Sequence, residues 1–574
     1  MPPRRVQGLA DAGTETEAGA ETEPETETEP EPEPESLPRR RPTSVRLCPP
    51  EGPMATDAPP RTTITATNPA TGEHLGEVPV VTPEQLRAAL RRAREAQRDW
   101  GARPTRDRAR MLRPVLDLLV ERRDSIAALI SQEVGKPRFE ALTTEVFSTL
   151  EVLDYYLREA EGILRPEAIP HRLLKTTRSE LHREPWGVVG LITPWNYPFF
   201  LTASIALSGL FAGNAVLNKP SEFTPLVGLE VERLLRDAGL PPAIYQCLPG
   251  YGDLGAALVE ANCDKISFTG SVRTGRKVAA ACGERLIPVT LELGGKDPAI
   301  VLADADLERA ARSLTWGAFT NCGQVCASIE RIYVHQDVAQ AFTQRLVEET
   351  KALRQGPDRS FNVDVGSMVN RMQFEVVARQ LEEARARGAR ILVGGEARAG
   401  EGEKGGYFVS PTVIGGADHD LSVAREETFG PVVTVFPVPD ADEAVRRAND
   451  SPYGLTASVW TRDERRAADL ARRLHFGSVY VNDALVPSGA GEAPWGGVKE
   501  SGYGKTRGPE GLRAMTRVKH VAYDRFHLRD APVWFPYTAE KYRTISDFLP
   551  VLFGSRPGRR LRAGLQGLRN LISR

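Results

Sequence analysis

The sequence predicts an α/β protein that contains two parallel sheets. Short strands rich in Val, Ile and Leu alternate with helical segments twice, first over residues 187–293 and again over residues 299–482. Buried parallel strands have apolar runs of this kind, and the helices that connect them cover both faces of the sheet. A chain of 574 residues is also too long for one hydrophobic core, so we expect two α/β domains with additional terminal segments.

The composition excludes several classes of function. Lys and Arg number 74 and Asp and Glu number 76, and this balance gives no reason to expect nucleic acid as a partner. The six cysteines form no closely spaced framework, so we expect reduced thiols. The eight histidines and the CxxxC spacing of Cys322 and Cys326 match no common zinc motif, and no metal is expected. The absence of an apolar targeting segment favours a cytoplasmic location.

The two ends of the chain differ in character from the rest. Residues 1–60 are expected to be a disordered acidic tail, because the run ETEPETETEPEPEPE has too little apolar surface to fold. Met54 lies just before the first segment with a folded pattern and is a candidate for the true start. Residues 524–574 are expected to be a C-terminal appendage. Its basic end, residues 556–574, could lie on an anionic membrane surface as an amphipathic helix or pack against a neighbouring subunit.

Periodicity and flanking residues predict the individual elements. Helical spacing predicts surface helices at Pro83–Trp100 and Arg106–Glu133. The stretch from Gly187 to Asn218 has no charged side chain and is long enough for a membrane span, but its prolines and glycines favour a strand, a buried helix and a second strand. Later strands are predicted at KISF (265–268), PVTLEL (288–293), AIVLAD (299–304), RIYVH (331–335), RILVGG (390–395), PVVTVFPV (431–438), ASVW (457–460) and SVYVN (478–482).

Three residue types point to nucleophilic chemistry. Cys326 is the strongest candidate for a reactive thiol, because Gly323 and polar neighbours surround it in FTNCGQVCAS, with Cys322 as the alternative. Glu292 ends an apolar strand, where burial would raise its pKa and suit a general base, unless it is a salt-bridged surface residue. Asn196 in TPWNYP offers an amide donor for a developing oxyanion, although it could equally serve as a turn residue.

Ligand-binding features occur at the ends of two predicted strands. The segment TGSVRTG (269–275) lies between a strand and a basic helix, where free backbone N–H groups suit a pyrophosphate. Lys219, Ser221 and Glu222 follow another buried strand, where open α/β sheets bind their ligands, the alternative being a solvated strand end. The formal GxGxxG at Gly250–Gly255 is less convincing, because no acidic residue ends a strand about twenty residues further on.

Together and in this order, the motifs resemble those of the aldehyde dehydrogenase superfamily over residues 65–523. They are TPWNYP, AGNAVLNKPSE, FTGSVRTG, LELGGKD, FTNCGQVC, EETFGPV and YGLTASVW. The resemblance implies a variant Rossmann cofactor domain, an α/β catalytic domain and a small β oligomerisation element. The implied ranges are 61–294 for the NAD-binding domain, with an oligomerisation hairpin at about 167–184, then 295–490 for the catalytic domain, and 491–523 for a return segment and oligomerisation strand.

The resemblance also implies roles for single residues. Cys326 would be the nucleophile, which requires an ionised and exposed thiol, and Glu292 would be the general base. Asn196 would bind the oxyanion together with the backbone N–H of Cys326. A general-base Glu implies hydrolysis of the thioester rather than transfer to coenzyme A. The cofactor would be NAD, with NADP as the alternative, and its contacts would be Trp195, Lys219, Ser221, Glu222, Gly270, Ser271, Gly275, Glu427 and Phe429.

The substrate would be a small-molecule aldehyde, and the family resemblance implies a homodimer or homotetramer. Phe199, Trp316, Phe319 and Trp495 lie near the matched motifs, which favours an apolar aliphatic or aromatic aldehyde unless these rings belong to the core. Succinate semialdehyde is an alternative, because several arginines occur nearby in the sequence. A fatty aldehyde that is oxidised by a peripheral membrane protein is a further alternative.

Overall fold

The computed structural model describes residues 61–173, 176–400, 406–527, 529, 531, 533–553 and 555. Three predictions therefore lie outside the described residues. They are the acidic tail over residues 1–60, the start at Met54, and the amphipathic helix over residues 556–574.

Twenty strands and seventeen α-helices alternate along the described chain. The strands are β1 (Thr63–Thr67), β2 (His74–Pro79), β3 (Glu167–Ile169), β4 (Thr177–Pro185), β5 (Val188–Ile192), β6 (Ala215–Lys219), β7 (Tyr245–Cys247), β8 (Lys265–Thr269), β9 (Val289–Glu292), β10 (Asp297–Val301), β11 (Ile329–His335), β12 (Arg390–Val393), β13 (Ala397–Ala399), β14 (Tyr407–Val409), β15 (Thr412–Gly415), β16 (Val432–Val438), β17 (Thr456–Trp460), β18 (Ser478–Val481), β19 (Gly502–Tyr503) and β20 (Thr516–Asp524). The helices are α1 (Pro83–Ala102), α2 (Thr105–Glu121), α3 (Arg123–Val134), α4 (Arg138–Glu140), α5 (Phe147–Leu164), α6 (Pro198–Ala212), α7 (Pro225–Asp237), α8 (Gly252–Glu260), α9 (Val272–Glu284), α10 (Leu307–Phe319), α11 (Gln336–Lys351), α12 (Arg371–Ala386), α13 (Ser422–Arg425), α14 (Ala441–Asn449), α15 (Glu464–Arg473), α16 (Gly508–Ala514) and α17 (Ala539–Phe553).

The first large sheet has six strands in the order β19-β9-β8-β5-β6-β7, and all its pairs are parallel except β19 with β9. Every residue of β5, of β6 and of the helix α6 between them is buried. The uncharged stretch therefore forms a strand, a buried helix and a second strand, as predicted. Within the described ranges, no helix is long and apolar enough to cross a membrane.

The second large sheet has seven strands in the order β12-β15-β16-β11-β10-β17-β18. Its pairs are parallel apart from β12 with β15. The predicted α/β class with two parallel sheets is thus confirmed. The predicted domain boundary after residue 294 falls between β9 and β10, one strand in each sheet, and the domain ranges themselves stay predictions.

The register of the first sheet brings the candidate residues to one edge. Ile192 pairs with Lys219, and Thr269 pairs with Glu292, so that four strands end at the same level. Parallel strands have their carboxyl ends at one edge of the sheet, where open α/β folds bind ligands. The loop that contains Asn196 follows β5 directly and reaches this edge as well.

A third sheet of three antiparallel strands has the order β20-β4-β3. Most of β20 is exposed, including the apolar side chains of Val518 and Tyr523. An exposed strand with apolar side chains is a surface on which another chain can pair. Subunit pairing through this sheet stays a prediction.

Two expectations differ from the structure in detail. The helix predicted over Arg106–Glu133 is broken at Arg122, whose φ of −94° and ψ of 7° leave helical geometry, so α2 and α3 are separate. Helical periodicity does not show such a break, because apolar residues continue on both sides of it. The predicted strand AIVLAD begins earlier, at Asp297, and ends at Val301.

Candidate active site

A cavity of about 650 Å³ leads to Cys326. Most of its wall is apolar, and the side chains of Glu151 and Arg507 are its two charged groups. Cavities of this size and character bind small, largely apolar molecules. The lining residues with apolar side chains are Phe147, Tyr197, Phe200, Leu201, Trp316, Val325, Ala327, Leu485, Val486, Pro487, Ala490 and Trp495.

Cys326 follows a strained turn. Asn321, Cys322 and Gly323 all have positive φ, at 51°, 55° and 68°, which is costly for the two residues that are not glycine. A Cβ atom at residue 323 would lie 2.1 Å from the carbonyl oxygen of Gly430, so only glycine fits. Backbone strain of this kind is concentrated at functional sites, where the surrounding structure holds it in place.

The two candidate cysteines have different surroundings. Cys322 is fully buried, its Sγ lies 3.7 Å from the Sδ of Met368, and burial raises its pKa. Cys326 is only partly buried and lies on the cavity wall. Of the two, the structure therefore places Cys326 where a substrate could reach it.

The surroundings of Cys326 oppose ionisation of its thiol, and the expected ionised thiol stays a prediction. Burial raises the pKa of this thiol well above its usual range, and the charges of Glu292, Asp297 and Glu427 raise it further. A hydrogen bond from the backbone N–H of Ala327 acts in the opposite direction but is a smaller effect. A raised pKa favours the protonated thiol, so attack by the sulfur calls for a base that accepts its proton.

Glu292 is at the end of β9, 3% exposed, and close enough to Cys326 to influence its titration. Burial raises the pKa of Glu292 to about 7, while the positive charge of Arg507 opposes the increase. Its Oε1 atom is buried and has no hydrogen-bond partner among the described residues. The interpretation as a salt-bridged surface residue is therefore excluded, and a free carboxylate oxygen remains for a proton.

Asn196 lies behind the Cys326 turn and is 2% exposed. Its Nδ2 atom donates a hydrogen bond to the carbonyl of Gln324, at 3.0 Å. An amide nitrogen carries two hydrogens, so this contact leaves one N–H for another acceptor. Asn196 is not among the described residues that line the cavity, and its contacts join it to Asn321 and Gln324 in the turn before Cys326.

A buried ion pair fixes the loop that contains Asn196. Lys136 Nζ lies 2.7 Å from Glu145 Oε1 and donates to the carbonyl of Asn196 at 2.8 Å, and both side chains of the pair are inaccessible to solvent. Glu145, on the π-helix Ala141–Val146, accepts the backbone N–H groups of Phe199 and Phe200 through Oε2. The first turn of α6 is thus capped by a carboxylate that Lys136 neutralises.

A second buried carboxylate fixes the turn before Cys326. Glu140 accepts hydrogen bonds from Thr320 Oγ1 at 2.6 Å and from the backbone N–H of Asn321 at 2.9 Å. Asn321 Nδ2 in turn donates to the carbonyl of Asn196 at 2.9 Å. The two loops that contain Asn196 and Cys326 are therefore joined directly and are both held by carboxylates from residues 140–145.

A further buried pair, Lys296 and Glu330, fixes the segment that contains Glu427 and Phe429. Lys296 Nζ contacts Glu330 Oε2, and Glu330 accepts the backbone N–H groups of Thr428 and Phe429. Glu427 Oε1 accepts the N–H of Gly295 at 3.1 Å. Burial, followed by the charge of Glu330, raises the pKa of Glu427 to about 8.

The predicted ribose contacts lie together at the end of β6. Lys219 Nζ donates to Glu222 Oε2 at 3.1 Å, and the lysine is 5% exposed. Ser221 is buried beside them, and its Oγ accepts the backbone N–H of Phe223. A cation and a carboxylate at a strand end suit the hydroxyl groups of a ribose.

The predicted pyrophosphate segment begins α9, a helix of thirteen residues. Ser271 caps the helix by accepting the N–H of Thr274, and Gly270 donates its N–H to the carbonyl of Glu292. A Cβ atom at Gly275 would lie 2.5 Å from Leu293, so the helix packs tightly on β9. Helix N-termini bind anionic groups, and this one lies at the same sheet edge as Lys219.

Trp195 and Phe429 face each other across the two sheets. Their ring centroids are 5.3 Å apart, and the rings are perpendicular. The residues present therefore fit a dinucleotide, with Lys219 and Glu222 at the ribose end, the α9 terminus at the phosphates, and Trp195, Phe429 and Glu427 near Cys326.

Some residues behave differently from the sequence-based expectation. Trp316 and Trp495 line the cavity, whereas Phe199 and Phe319 are buried in the two hydrophobic cores. The segment at Gly250–Gly255 begins the short helix α8 and is separate from the described cavity.

Arg507 is a functional candidate that the sequence did not indicate. Its side chain is 3% exposed and lies between the rings of Phe200 and Trp495, with Cζ about 5 Å from each centroid. Among the described residues, only the carbonyl of Ser488 accepts a hydrogen bond from the guanidinium. Lys136, Glu140 and Glu145 also gave no signal, because single charged residues in helical segments are normally on solvated faces.

Comparison with known proteins agrees with this geometry. The model of the aldehyde dehydrogenase family matches residues 56–521. The chain belongs to this family. Aldehyde dehydrogenases of this family are NAD(P)-dependent oxidoreductases, and this chain accordingly oxidises an aldehyde with NAD or NADP.

Individual relatives differ in the substrates that their names state. A Mycobacterium ulcerans protein, named a putative succinate-semialdehyde dehydrogenase (NADP(+)), is 40% identical over 84% of this chain and 92% of its own length. A 4,4'-diapolycopene aldehyde oxidase of Methylomonas is 39% identical over 88% of this chain and 95% of its own. The crystal structure of an NAD-dependent aldehyde dehydrogenase from Sinorhizobium meliloti has a TM-score of 0.79 and 34% identity, and covers 83% of this chain and 93% of that chain.

Proposed function

We propose that this aldehyde dehydrogenase oxidises an apolar aldehyde to the carboxylic acid with NAD, through a thiohemiacetal and a thioester on Cys326. The observation that carries the substrate class is the apolar cavity that ends at Cys326. An aliphatic or aromatic chain would gain free energy by leaving water for this wall, about 0.8 kcal/mol for each methylene group.

Glu292 begins the reaction by accepting the Cys326 proton. Its pKa of about 7 leaves a large fraction of the carboxylate ionised at neutral pH, and its Oε1 atom is free to accept. The sulfur then forms a bond to the carbonyl carbon, and the negative charge that develops on oxygen is stabilised by the remaining N–H of Asn196 and the backbone N–H of Cys326. The bound NAD supplies the acceptor for the hydride that leaves the aldehyde carbon.

The second half of the reaction again uses Glu292. Glu292 first releases the proton it took from Cys326 to solvent, and its carboxylate then accepts a proton from a water molecule, whose oxygen attacks the thioester carbon. The C–S bond breaks, the carboxylic acid leaves, and the Cys326 thiol is restored with the proton. Asn196 and the backbone N–H hold the tetrahedral oxygen in both halves, which is why the fixed position of its loop matters.

The protonation of Glu292 predicts the pH dependence. A carboxylic acid cannot serve as the base, so kcat should fall towards tenfold per pH unit below the pKa of about 7 and level off above it. Glu292→Gln should lower kcat by about 10²- to 10⁴-fold and abolish this acidic limb. Steady-state NADH formation across pH measures both. Glu151→Gln, on the cavity wall, is the matched control and should keep the fall of kcat at acidic pH. If that fall persists in Glu292→Gln, the assignment of Glu292 as the base is contradicted.

Glu222 is the basis for proposing NAD rather than NADP. Its carboxylate, held by Lys219, would accept a hydrogen bond from the ribose 2′-hydroxyl and repel a 2′-phosphate. The mycobacterial relative is named for NADP(+), so the two cofactors must be compared directly.

We expect kcat/KM for NAD to exceed that for NADP by roughly tenfold or more, because of this charge repulsion. Glu222→Gln should reduce the ratio, whereas Glu260→Gln, an exposed carboxylate at the end of α8, should leave it unchanged. A preference of the unmodified enzyme for NADP would refute the proposal.

A second candidate substrate is an aldehyde with a terminal carboxylate, such as succinate semialdehyde. Arg507 supports this second candidate, because its buried guanidinium lines the cavity. Among the described residues, the guanidinium donates one hydrogen bond, and the acceptor is a carbonyl rather than a carboxylate. A buried cation gains stability from an anionic partner. The names of the mycobacterial relatives point to the same substrate.

A set of aldehydes separates the two candidates. If the substrate is apolar, kcat/KM should rise about three- to fourfold for each added methylene from butanal to octanal. If it carries a carboxylate, succinate semialdehyde should exceed butanal, which has the same number of carbons. Arg507→Met should then remove that advantage, and Arg507→Lys should retain part of it. NADH absorbance measures each rate, and equal kcat/KM values for all aldehydes would contradict both candidates.

A further inference from the structure

The helix α17 near the C-terminus has no buried residue. Large apolar side chains of this helix and of the segment before it are open to solvent, several of them by more than half. They are Val533, Trp534, Phe535, Tyr537, Tyr542, Ile545, Phe548, Leu549 and Phe553. A contiguous exposed set of this kind marks a contact surface on a soluble domain.

The apolar residues of α17 lie on one face. Tyr542, Ile545 and Leu549 are spaced by three and four residues, which places them in one row at 3.6 residues per turn. Phe548 and Phe553 widen this row. Of the charged residues, Glu540, Arg543 and Asp547 lie on the other side, whereas Lys541 lies beside the apolar row, so the helix is amphipathic with one cation on its apolar side.

The described protein does not cover this face. One contact of α17 with another segment is polar, the hydrogen bond from Arg172 Nη2 to the carbonyl of Leu552 at 3.1 Å. The Arg172 guanidinium also lies 6.0 Å from the ring centroid of Phe553. Fifteen helical residues span about 22 Å, less than the roughly 30 Å hydrocarbon core of a bilayer, so the helix could lie on a membrane but not cross it.

We propose that the apolar face of α17 docks on an anionic lipid surface. The sequence that follows, residues 556–574, contains six arginines and no acidic residue, which complements anionic headgroups. Trp and Tyr favour the bilayer interface, and Trp534 and Tyr537 immediately precede the helix. A second copy of the chain is the competing occupant.

The proposed lipid contact rests on the proposed function, the oxidation of an apolar aldehyde. Apolar aldehydes partition into bilayers, so an enzyme bound to a bilayer would meet its substrate there. The contact would then bring the enzyme to the bilayer that holds its substrate. The binding itself is measured without any aldehyde, so its outcome is independent of the enzymatic assay.

The test is sedimentation of the full-length enzyme with vesicles. The enzyme should sediment with vesicles of phosphatidylcholine and phosphatidylglycerol in equal parts, and much less with phosphatidylcholine alone. The double variant Phe548→Ser/Leu549→Ser should reduce the bound fraction by about fivefold or more, since it removes one exposed aromatic ring and one exposed aliphatic side chain from the face. Met372→Ser, at an exposed apolar residue of α12, is the control and should bind normally.

Two results would overturn the inference. The first is an enzyme that does not sediment with anionic vesicles, and the second is equal binding by the double variant and the control. Light scattering on the same proteins identifies the competing occupant, because a change of mass in the double variant without lipid binding would assign the face to a contact between copies. The double variant should oxidise butanal at the same rate as the unmodified enzyme. If neither protein oxidises butanal, the proposed function fails, and the vesicle binding is judged separately.

Discussion

The buried ion pair of Lys136 and Glu145 is the constraint on which the active site depends. It lies between the helical layer and the loop after β5, and it fixes the carbonyl of Asn196 and the first turn of α6 together. Removing one member of such a pair leaves an uncompensated charge and costs about 3–5 kcal/mol. The net contribution of the Lys136–Glu145 pair to stability is small, because the cost of removing both charges from water offsets much of their attraction. Its main effect is to fix the position of the loop that contains Asn196.

The site gathers more negative charge than a buried region normally tolerates. Glu292, Asp297 and Glu427 all face Cys326 and raise the pKa of its thiol. The same burial raises the pKa of Glu292 to about 7 and of Glu427 to about 8, so both carboxyl groups titrate near neutral pH. A base with this pKa can both take the thiol proton and activate water, which a carboxylate in bulk water does poorly.

The elements that the sequence predicts well are those with a local signal. Apolar runs identify the parallel strands, and the ordered motifs predict roles for Cys326, Glu292, Lys219 and Glu222 that stay predictions. The roles of Lys136, Glu140 and Arg507 depend on contacts with distant segments, such as Asn196 and Thr320. The raised pKa of Cys326 has no local signal either, because its carboxylate neighbours come from two distant parts of the chain, residues 292–297 and Glu427.

The central claim is that Cys326 forms a thioester which Glu292 hydrolyses. Intact-protein and peptide mass spectrometry of Glu292→Gln, after incubation with an aldehyde and NAD, tests it most directly. The account predicts an acyl adduct on the peptide that contains Cys326, located at residue 326 rather than 322, and its loss in Glu292→Gln/Cys326→Ala. NADH formation without any adduct, or an adduct that persists after Cys326 is replaced, would contradict it.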